Sequence, residues 1–338
     1  MSHQRFSLII VFLSFFSFNS FSQTDQQLVD RYDEMYAAEK YELASKAAET
    51  LCQRYPTSAL WHFNAGALAA RLQRPERAIS HLRKSANCGF TGIRSFEQNS
   101  DLDPIRERKD FIAILESVRT NARERMEEFQ QEAKLHKPPT YTPQPSAQNP
   151  PLIIALHGTG MKGQDMYDAL LETAKSQGAV LVCPDALRPV QSGGFSWTYR
   201  DESEWFVEYL IEQAKTDFDI DPEKILLIGF SQGANIALIL GQTHPDWFLA
   251  VIPICGHYEP QVAESQSMPA PFYLITGARD PWKITYSKAR QDFKDAGAPV
   301  QIRVLTGRGH ELPRGKFGTR EYTKAVQWAL KLETDSSP

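Results

Sequence analysis

The 338-residue chain carries 37 lysine and arginine residues against 41 aspartate and glutamate residues, which gives a formal net charge of −4. This near balance, without a basic stripe interleaved with aromatic residues, argues against a nucleic-acid partner. Hydrophobic residues make up 42% of the chain, as in an ordinary globular protein. The length is enough for two domains or for one large domain.

The N-terminal segment has the pattern of a secretory signal peptide. Arg5 precedes an uncharged apolar run at residues 8–18, and the small residues Ser20 and Ser22 follow it. A positive region, an apolar run of about ten residues and small residues spaced by one are the parts of such a signal. We therefore predict that residues 1–22 are removed on export. The alternative is an uncleaved anchor, although the run is too short for a transmembrane span and no other stretch is long enough.

Residues 25–130 show almost no strand pattern and contain an internal repeat. Residues 40–44 align with residues 74–78 at an offset of 34 residues, which is the tetratricopeptide period. Gly66 and Ala70 supply small side chains where paired helices approach closely. Residues 25–118 therefore resemble a pair of tetratricopeptide repeats with a closing unit, and we assign residues 23–133 to a small all-α domain. The resemblance implies a concave surface for a protein partner; the alternative is a helical cap or spacer.

Residues 134–151 are predicted to be a linker between two domains. Six of the sixteen residues from 136 to 151 are proline. A stretch of this composition forms neither a helix nor a central strand. We therefore expect a semi-rigid connection here.

From residue 152 onward, apolar strand patterns alternate with helical patterns. Strands are predicted at 152–156, 179–183, 224–229, 248–254, 271–276 and 300–305, and helices at 164–177, 202–216, 232–243, 283–296 and 319–331. This alternation is typical of a doubly wound, mainly parallel sheet with helices on both faces. We therefore predict an α/β domain over residues 152–333.

Ser231 lies where a strand pattern gives way to a helical pattern. The strand pattern ends at Gly229, and the helical pattern begins after Gly233. In a Gly-x-Ser-x-Gly turn between a strand and a helix, the serine hydroxyl stands exposed above the sheet. Glycine at both flanking positions lets the two elements close around the serine. The pattern indicates a nucleophile at Ser231; the alternative is a purely structural glycine-rich turn.

The loop after the first strand contains His157, Gly158 and Thr159. Acyl transfer places negative charge on the carbonyl oxygen, and backbone N–H groups must stabilise that charge. A His-Gly loop and the residue after the nucleophile supply these donors in such folds. We therefore predict an oxyanion hole formed by Thr159 and Gln232, with His157 and Gly158 in a supporting loop. The alternative is a plain glycine-rich turn.

Asp280 and His310 each follow a predicted strand near the end of the chain. An acid and a histidine at these places complete a triad, in which the carboxylate orients the imidazole and stabilises its cation. The chain order Ser231, Asp280, His310 is the order of the α/β-hydrolase triad, and open sheets carry their sites after strand ends. The alternatives are a helix-capping aspartate and a solvated loop histidine.

Export makes disulfides available to the four cysteines. Cys183 and Cys255 each end a predicted buried strand, so we predict that they are packed free thiols. Cys52 and Cys88 both lie in the helical part and are a candidate pair, which the sequence leaves open. None of the four cysteines has zinc-ligand spacing.

Residues 152–331 resemble the carboxylesterase/phospholipase branch of the α/β-hydrolases in the motifs around Ser231, Asp280 and His310. Secreted polyester- and feruloyl-esterase-like enzymes are also similar. The linker runs directly into 152–156, so the first two strands expected from this resemblance have no obvious counterpart. The aromatic segment 193–199 either lines the substrate pocket or packs in the ordinary way.

The resemblance implies a secreted serine hydrolase that cleaves a small or polymer-attached carboxylic ester through an acyl-enzyme. It implies no metal and no organic cofactor. The alternatives are a peptidase or thioesterase with the same triad, and a partner-binding repeat protein with a vestigial hydrolase domain.

Overall fold

A computed structural model describes residues 23–144, 149–190, 193–261 and 268–335. The predicted signal peptide, residues 1–22, lies outside these ranges. The chain divides into two compact units, Met1–Gln131 and Glu132–Pro338. Within the described ranges, no helix combines the length and the apolar character that crossing a bilayer requires.

The first unit is built from helices, and the first four pack in chain order, each against the next. They are α1 (Gln23–Ala37), α2 (Tyr41–Arg54), α3 (Ala59–Arg71), α4 (Pro75–Asn87), α5 (Ile93–Gln98), a 3-10 turn (Ser100–Ile105) and α6 (Lys109–Leu135). Helix α6 continues past the boundary between the two units. The absence of strands from this unit, within the described residues, agrees with the all-α prediction.

Two turns between helices that lie 34 residues apart in the chain have the same backbone geometry. Glu39 and Gln73 both have φ of 57°. Lys40 and Arg74, which follow them, each donate the backbone N–H to the carbonyl five residues earlier, at 2.8 Å in both cases. A Cβ added at Gly66 would come within 2.7 Å of a leucine side chain on α4. Glycine at this position therefore lets α3 and α4 approach closely, as predicted.

The second unit contains a seven-stranded sheet covered by helices. Its strands are β1 (Thr140–Tyr141), β2 (Leu152–Leu156), β3 (Val180–Val182), β6 (Ile225–Phe230), β7 (Ala250–Ile254), β8 (Phe272–Gly277) and β9 (Val300–Leu305), in the order β1-β3-β2-β6-β7-β8-β9. A separate hairpin pairs β4 (Arg188–Pro189) with β5 (Phe195–Ser196). The helices are α7 (Gly163–Gln177), α8 (Arg200–Asp217), α9 (Gln232–Thr243), α10 (Lys283–Asp295) and α11 (Gly315–Asp335).

The predicted α/β class is confirmed. All six strands and all five helices expected in this half are present, with ends that shift by a few residues, and the six strands run parallel. Strands β2, β6 and β7 are buried at every residue. Because both faces of these strands are buried, the strands appear in the sequence as continuous apolar runs rather than alternating ones.

The predicted linker differs from the observed structure. Helix α6 extends to Leu135, and Thr140 and Tyr141 form a short antiparallel strand, opposite Val182 and Leu181 of β3. This strand lies beside β3 and is the outermost strand on that side of the sheet. Part of the proline-rich stretch therefore belongs to the sheet. Without it, the outer side of β3 would present unpaired backbone groups.

All four cysteines are free thiols. Cys183 and Cys255 are buried, as predicted, whereas the candidate pair Cys52 and Cys88 forms no disulfide.

Candidate active site

Ser231 occupies the sharp turn between β6 and α9. Its backbone has φ of 52° and ψ of −114°, which side-chain-bearing residues rarely adopt. A conformation of this kind costs about 1–3 kcal/mol and is held only by its surroundings. The Ser231 N–H donates to the carbonyl oxygen of Ile254 at 2.9 Å, which fixes the turn to the end of β7.

The two glycines of the turn allow the elements to close around the serine. A Cβ added at Gly229 would overlap the carbonyl oxygen of Gly233, and one added at Gly233 would lie 2.7 Å from the carbonyl oxygen of His157. Neither backbone atom can move aside cheaply. The predicted need for glycine at 229 and 233 therefore comes from close backbone approach, while the positive φ falls on the serine.

Ser231, His310 and Asp280 are hydrogen-bonded in series. The Ser231 Oγ lies 2.9 Å from His310 Nε2, and His310 Nδ1 lies 3.0 Å from Asp280 Oδ2. An ionised carboxylate only accepts, so Nδ1 carries a proton and Nε2 is the atom that accepts from the serine hydroxyl. The His310 side chain is 34% exposed and that of Asp280 is 0% exposed, so the acid is shielded while the histidine is reachable from solvent.

The loops that carry the acid and the base pack directly on each other. A Cβ added at Gly277, the last residue of β8, would overlap the carbonyl oxygen of Gly309. Arg279 also donates its backbone N–H to the Arg308 carbonyl at 2.9 Å. These contacts hold Asp280 and His310 at a fixed distance from each other.

Asp280 is surrounded by hydrogen-bond donors. Burial alone raises the pKa of Asp280, but donors from His310, the Cys255 thiol and the Trp282 backbone N–H outweigh it and hold the pKa below its ordinary value. The Trp282 N–H lies 2.7 Å from Oδ1. The carboxylate is therefore ionised in the neutral range, as an orienting acid requires.

Cys255 was predicted to be a packed thiol, and its contact with the acid was missed. The residue is 1% exposed and has φ of 54°. Burial, together with Asp280, raises its pKa to about 12, so it remains a neutral S–H donor. The signal available in the sequence was its position at the end of a strand, in the same layer as Ser231 and Asp280.

His157 holds the glycine loop in place from beneath. Its Nε2 accepts the Ala186 backbone N–H at 2.9 Å, so its Nδ1 carries the proton and donates to the Gly158 carbonyl at 2.7 Å. Burial lowers the pKa of His157, which keeps the ring neutral. In a trans peptide the C=O and N–H groups point in opposite directions, so the Thr159 N–H points away from the His157 ring.

The glycine loop also lies against the nucleophile. A Cβ added at Gly158 would lie 3.2 Å from the Ser231 Cβ. Within the described ranges, the backbone N–H groups of Thr159 and Gln232 donate no hydrogen bond. Two such groups beside a serine are the elements of an oxyanion hole.

The Gln232 side chain, on α9, is hydrogen-bonded both to the loop that contains Thr159 and to the segment of Ser196 and Trp197. It is 5% exposed, and its Oε1 accepts from the Thr159 hydroxyl at 3.0 Å and from the Trp197 N–H at 2.9 Å. Its Nε2 donates to the Ser196 hydroxyl and to the Trp197 carbonyl, both at 3.2 Å. The sequence predicted a role only for the backbone N–H of Gln232, because the partners of its side chain are distant in the chain.

The aromatic segment 193–199 packs on the same loop. The Phe195 backbone accepts from the Gly160 N–H at 2.9 Å and donates to the Met161 carbonyl at 3.0 Å. Trp197 is 4% exposed and donates its indole N–H to the His157 carbonyl at 3.0 Å. Trp197 therefore supports the loop from the interior, whereas Tyr199 is exposed at 38%.

Comparison with known proteins places this unit among esterase-like sequences. The BD-FAE family model matches residues 140–262. "Putative esterase NocK" of Nocardia uniformis subsp. tsuyamanensis is 29% identical over 138 residues, which are 39% of this chain and 40% of that protein. "Bifunctional acetylxylan esterase/xylanase XynS20E" of Neocallimastix patriciarum is 28% identical over 146 residues, which are 41% of this chain and 21% of that protein.

The chain spans less than half the length of the curated relatives it matches. Among solved structures, that of esterase PE8 superimposes with a TM-score of 0.48 at 21% identity, covering 57% of this chain and 99% of that one. The sheet topology, the turn at Ser231 and the sequence matches agree: the second unit has a mainly parallel α/β fold and is similar to α/β-hydrolase esterases.

Proposed function

We propose that the chain is a serine hydrolase that cleaves a carboxylic ester through a Ser231–His310–Asp280 triad. The observation that carries the proposal is the continuous relay of 2.9 Å and 3.0 Å hydrogen bonds from the strained serine to the buried acid. A serine hydroxyl is a weak nucleophile until a positioned base accepts its proton. The substrate class is an ester of a small alcohol or of a polymer.

In the proposed acylation step, His310 Nε2 accepts the Ser231 proton as Oγ attacks the ester carbonyl. Asp280, ionised and fixed by its donors, stabilises the imidazolium that forms. The imidazolium then donates this proton to the alkoxide leaving group as the C–O bond breaks. The acyl group remains on Ser231, and the alcohol departs.

The developing oxyanion is received by the backbone N–H groups of Thr159 and Gln232. Support comes from the orientation of the Gly158–Thr159 peptide, whose carbonyl is held by His157. The Gln232 N–H is also at the start of α9, where the helix dipole favours negative charge. In deacylation, His310 activates a water molecule, and the same two donors stabilise the second tetrahedral intermediate.

Substitution of the triad residues tests the proposal directly. We expect Ser231→Ala and His310→Ala to lower kcat by about a millionfold, and Asp280→Asn by about ten-thousandfold. A fluorophosphonate probe should label the native chain and not Ser231→Ala. Ser176→Ala, at the end of α7, is the matched control and should retain labelling and activity.

Near-full activity in Asp280→Asn would assign the acid role to another carboxylate. A folded chain that neither reacts with the probe nor hydrolyses any ester would favour a vestigial hydrolase domain. Circular dichroism on each variant separates lost chemistry from lost folding.

Substrate preference separates an esterase from a thioesterase or a peptidase. We expect p-nitrophenyl esters of varied acyl length to be hydrolysed, and the name of one relative makes acetylated xylan a suitable polymer substrate. Matched thioester and peptide substrates should give a lower kcat/KM. A higher kcat/KM for either of them would reassign the chemistry to that class.

Export to the cell exterior or the periplasm is a further part of the proposal. It rests on Arg5 and the apolar run at residues 8–18. Mass spectrometry of the protein from its native host should give a chain that begins near Gln23. An intact chain retained in the cytoplasm would refute export and leave the hydrolase proposal standing.

A further inference from the structure

The first unit contains a second cluster of chemically reactive side chains. Cys52 on α2, His62 on α3 and His81 on α4 are 6%, 4% and 9% exposed. The cysteine sulfur and one ring nitrogen from each histidine lie within 4.8 Å of one another. All three side chains line a pocket of about 440 Å³, which Cys88 also lines.

The two histidines have their outer nitrogens occupied. His62 Nε2 lies 3.0 Å from the Pro56 carbonyl oxygen, and His81 Nε2 lies 3.0 Å from Glu49 Oε1. Both partners are acceptors, so each Nε2 carries a proton. In metal sites, histidine ligands are oriented in this way by a carbonyl or a carboxylate on the far nitrogen.

The inner nitrogens consequently present lone pairs to each other. His62 Nδ1 and His81 Nδ1 are 3.2 Å apart, and two neutral rings with protonated Nε2 atoms have no proton to place between them. Such a contact requires either one histidinium, whose extra proton is shared, or a cation bound by both atoms.

The spacing also fits a tetrahedral metal. Zn–N bonds of about 2.0–2.1 Å and a Zn–S bond of about 2.3 Å give ligand separations of about 3.3 Å for N–N and about 3.6 Å for N–S. The observed distance of 3.2 Å between His62 Nδ1 and His81 Nδ1 is close to the N–N separation of such a site. The Cys52 sulfur lies within 4.8 Å of a ring nitrogen of each histidine.

We propose that Cys52, His62 and His81 bind a Zn²⁺ ion in the first unit. Imidazole and thiolate ligands suit zinc rather than magnesium or calcium, which prefer oxygen. Binding forms two Zn–N bonds and one Zn–S bond and releases the Cys52 thiol proton to solvent. The fourth ligand is water or the Cys88 thiolate, and in the second case the Cys88 thiol proton is also released to solvent.

The site ties together three helices that the chain connects only through short turns. Glu49, which orients His81, is itself paired with Arg77 at 2.7 Å. The metal therefore joins side chains of α2, α3 and α4 at a buried polar cluster. A ligand that binds only the folded state raises its stability, so zinc is expected to raise the unfolding temperature of the full chain by about 5–10 °C.

The test begins with the native full-length chain, stripped by chelation and kept reduced. Titration with Zn²⁺ against a chromophoric chelator should give one ion per chain, bound more tightly than about 1 μM. Co²⁺ should produce a tetrahedral d–d spectrum with a thiolate-to-cobalt charge-transfer band, and one equivalent of Zn²⁺ should abolish it.

Variants identify the ligands. Cys52→Ser, which preserves size, should remove the charge-transfer band and weaken zinc binding about 100-fold or more. Cys88→Ser should leave the band in place, reduced in intensity if Cys88 is the fourth ligand. Cys255→Ser is the control for the second Cys/His/Asp group, at the active site, and should retain both the band and the zinc stoichiometry.

Failure of the native chain to bind one Zn²⁺ more tightly than about 1 μM would overturn the proposal. So would a Co²⁺ spectrum unchanged in Cys52→Ser or lost in Cys255→Ser. In that case the histidines share a proton, which ¹⁵N imidazole spectra of the native chain would show as one histidinium signal insensitive to added zinc.

Discussion

Replacement of Gln232 by methionine separates the role of its side chain from that of its backbone. Methionine has nearly the volume of glutamine but cannot make the polar contacts to Thr159, Ser196 and Trp197. The backbone N–H assigned to the oxyanion hole is unchanged by the substitution. Any loss of activity must therefore come from the loops that the side chain holds.

The expected magnitude follows from those contacts. Each hydrogen bond contributes about 0.5–1.5 kcal/mol net, and a buried group left without a partner costs about 1–3 kcal/mol. The Trp197 backbone loses partners for both its N–H and its carbonyl, so we expect Gln232→Met to lower the free energy of unfolding by about 2–4 kcal/mol. Loss of one oxyanion donor costs about 10²–10³ in kcat; a displaced Thr159 amide should cost about 10–100-fold.

Gln242 provides a matched control on the same helix. It is 6% exposed, donates to the Leu238 carbonyl at 2.8 Å and accepts from the Gln261 N–H at 3.1 Å. Gln242→Met should lower stability while leaving kcat within about threefold, because its contacts lie away from Ser231. Urea unfolding and p-nitrophenyl ester kinetics measure both quantities. An unchanged kcat in Gln232→Met, or an equal loss of kcat in both variants, would show that the Gln232 side chain does not position the oxyanion donors.

Three further predictions concern groups around the site and the sheet. Cys255→Ala removes a donor to Asp280 and should lower kcat about fivefold, the equivalent of one hydrogen bond, whereas Cys255→Ser should restore it. Gly233→Ala forces a Cβ into two strand-end carbonyls and should destabilise the fold by about 3 kcal/mol or more, while Gly309→Ala, with open space around its Cα, should not. Burial raises the pKa of Glu321 but hydrogen bonds from arginines outweigh it and lower the pKa, so Glu321→Gln should be less stable above about pH 4.3. The difference in free energy of unfolding between the native chain and Glu321→Gln should disappear as the pH falls through the lowered pKa of Glu321 in the folded state. A difference that does not change with pH would show that the Glu321 charge does not stabilise the fold.

The sequence predicted the parallel sheet well because its strands are buried on both faces. Runs such as those of β2 and β6 are short, continuous and apolar, and each is followed by a helical pattern. This information is local. Ser231, Asp280 and His310 each follow such a strand, so their place in the chain was enough to identify them as nucleophile, acid and base. The structure brings the three side chains into hydrogen-bond contact.

Features that depend on tertiary pairing were not predictable in the same way. Thr140 and Tyr141 become a strand only because β3 offers an unpaired edge, and two residues among prolines carry no periodicity. The cluster of Cys52, His62 and His81 comes from three different helices. Its spacing in the chain matches no metal motif, and only helix packing brings the ligands together.

The strained backbone of the site is held by an extension of the sheet. Ser231 and Cys255 are each the first residue after a strand, and both have φ above 50°. Each donates its N–H to the last part of the neighbouring strand, Ser231 to Ile254 at 2.9 Å and Cys255 to Ile275 at 2.8 Å. The parallel ladder thus continues one residue beyond β6 and β7.

This continuation explains how two unfavourable conformations persist next to each other. Each costs about 1–3 kcal/mol, and relaxation of either would break a ladder bond at the buried end of the sheet. The Ser231 backbone is therefore held in place by a sheet hydrogen bond. The Ser231 hydroxyl takes no part in the sheet and is left to contact His310. The hydrogen bond from Cys255 to Ile275 also holds Cys255 beside Asp280. The positions of the nucleophile and of a donor to the acid are therefore fixed by two neighbouring backbone hydrogen bonds of the same sheet.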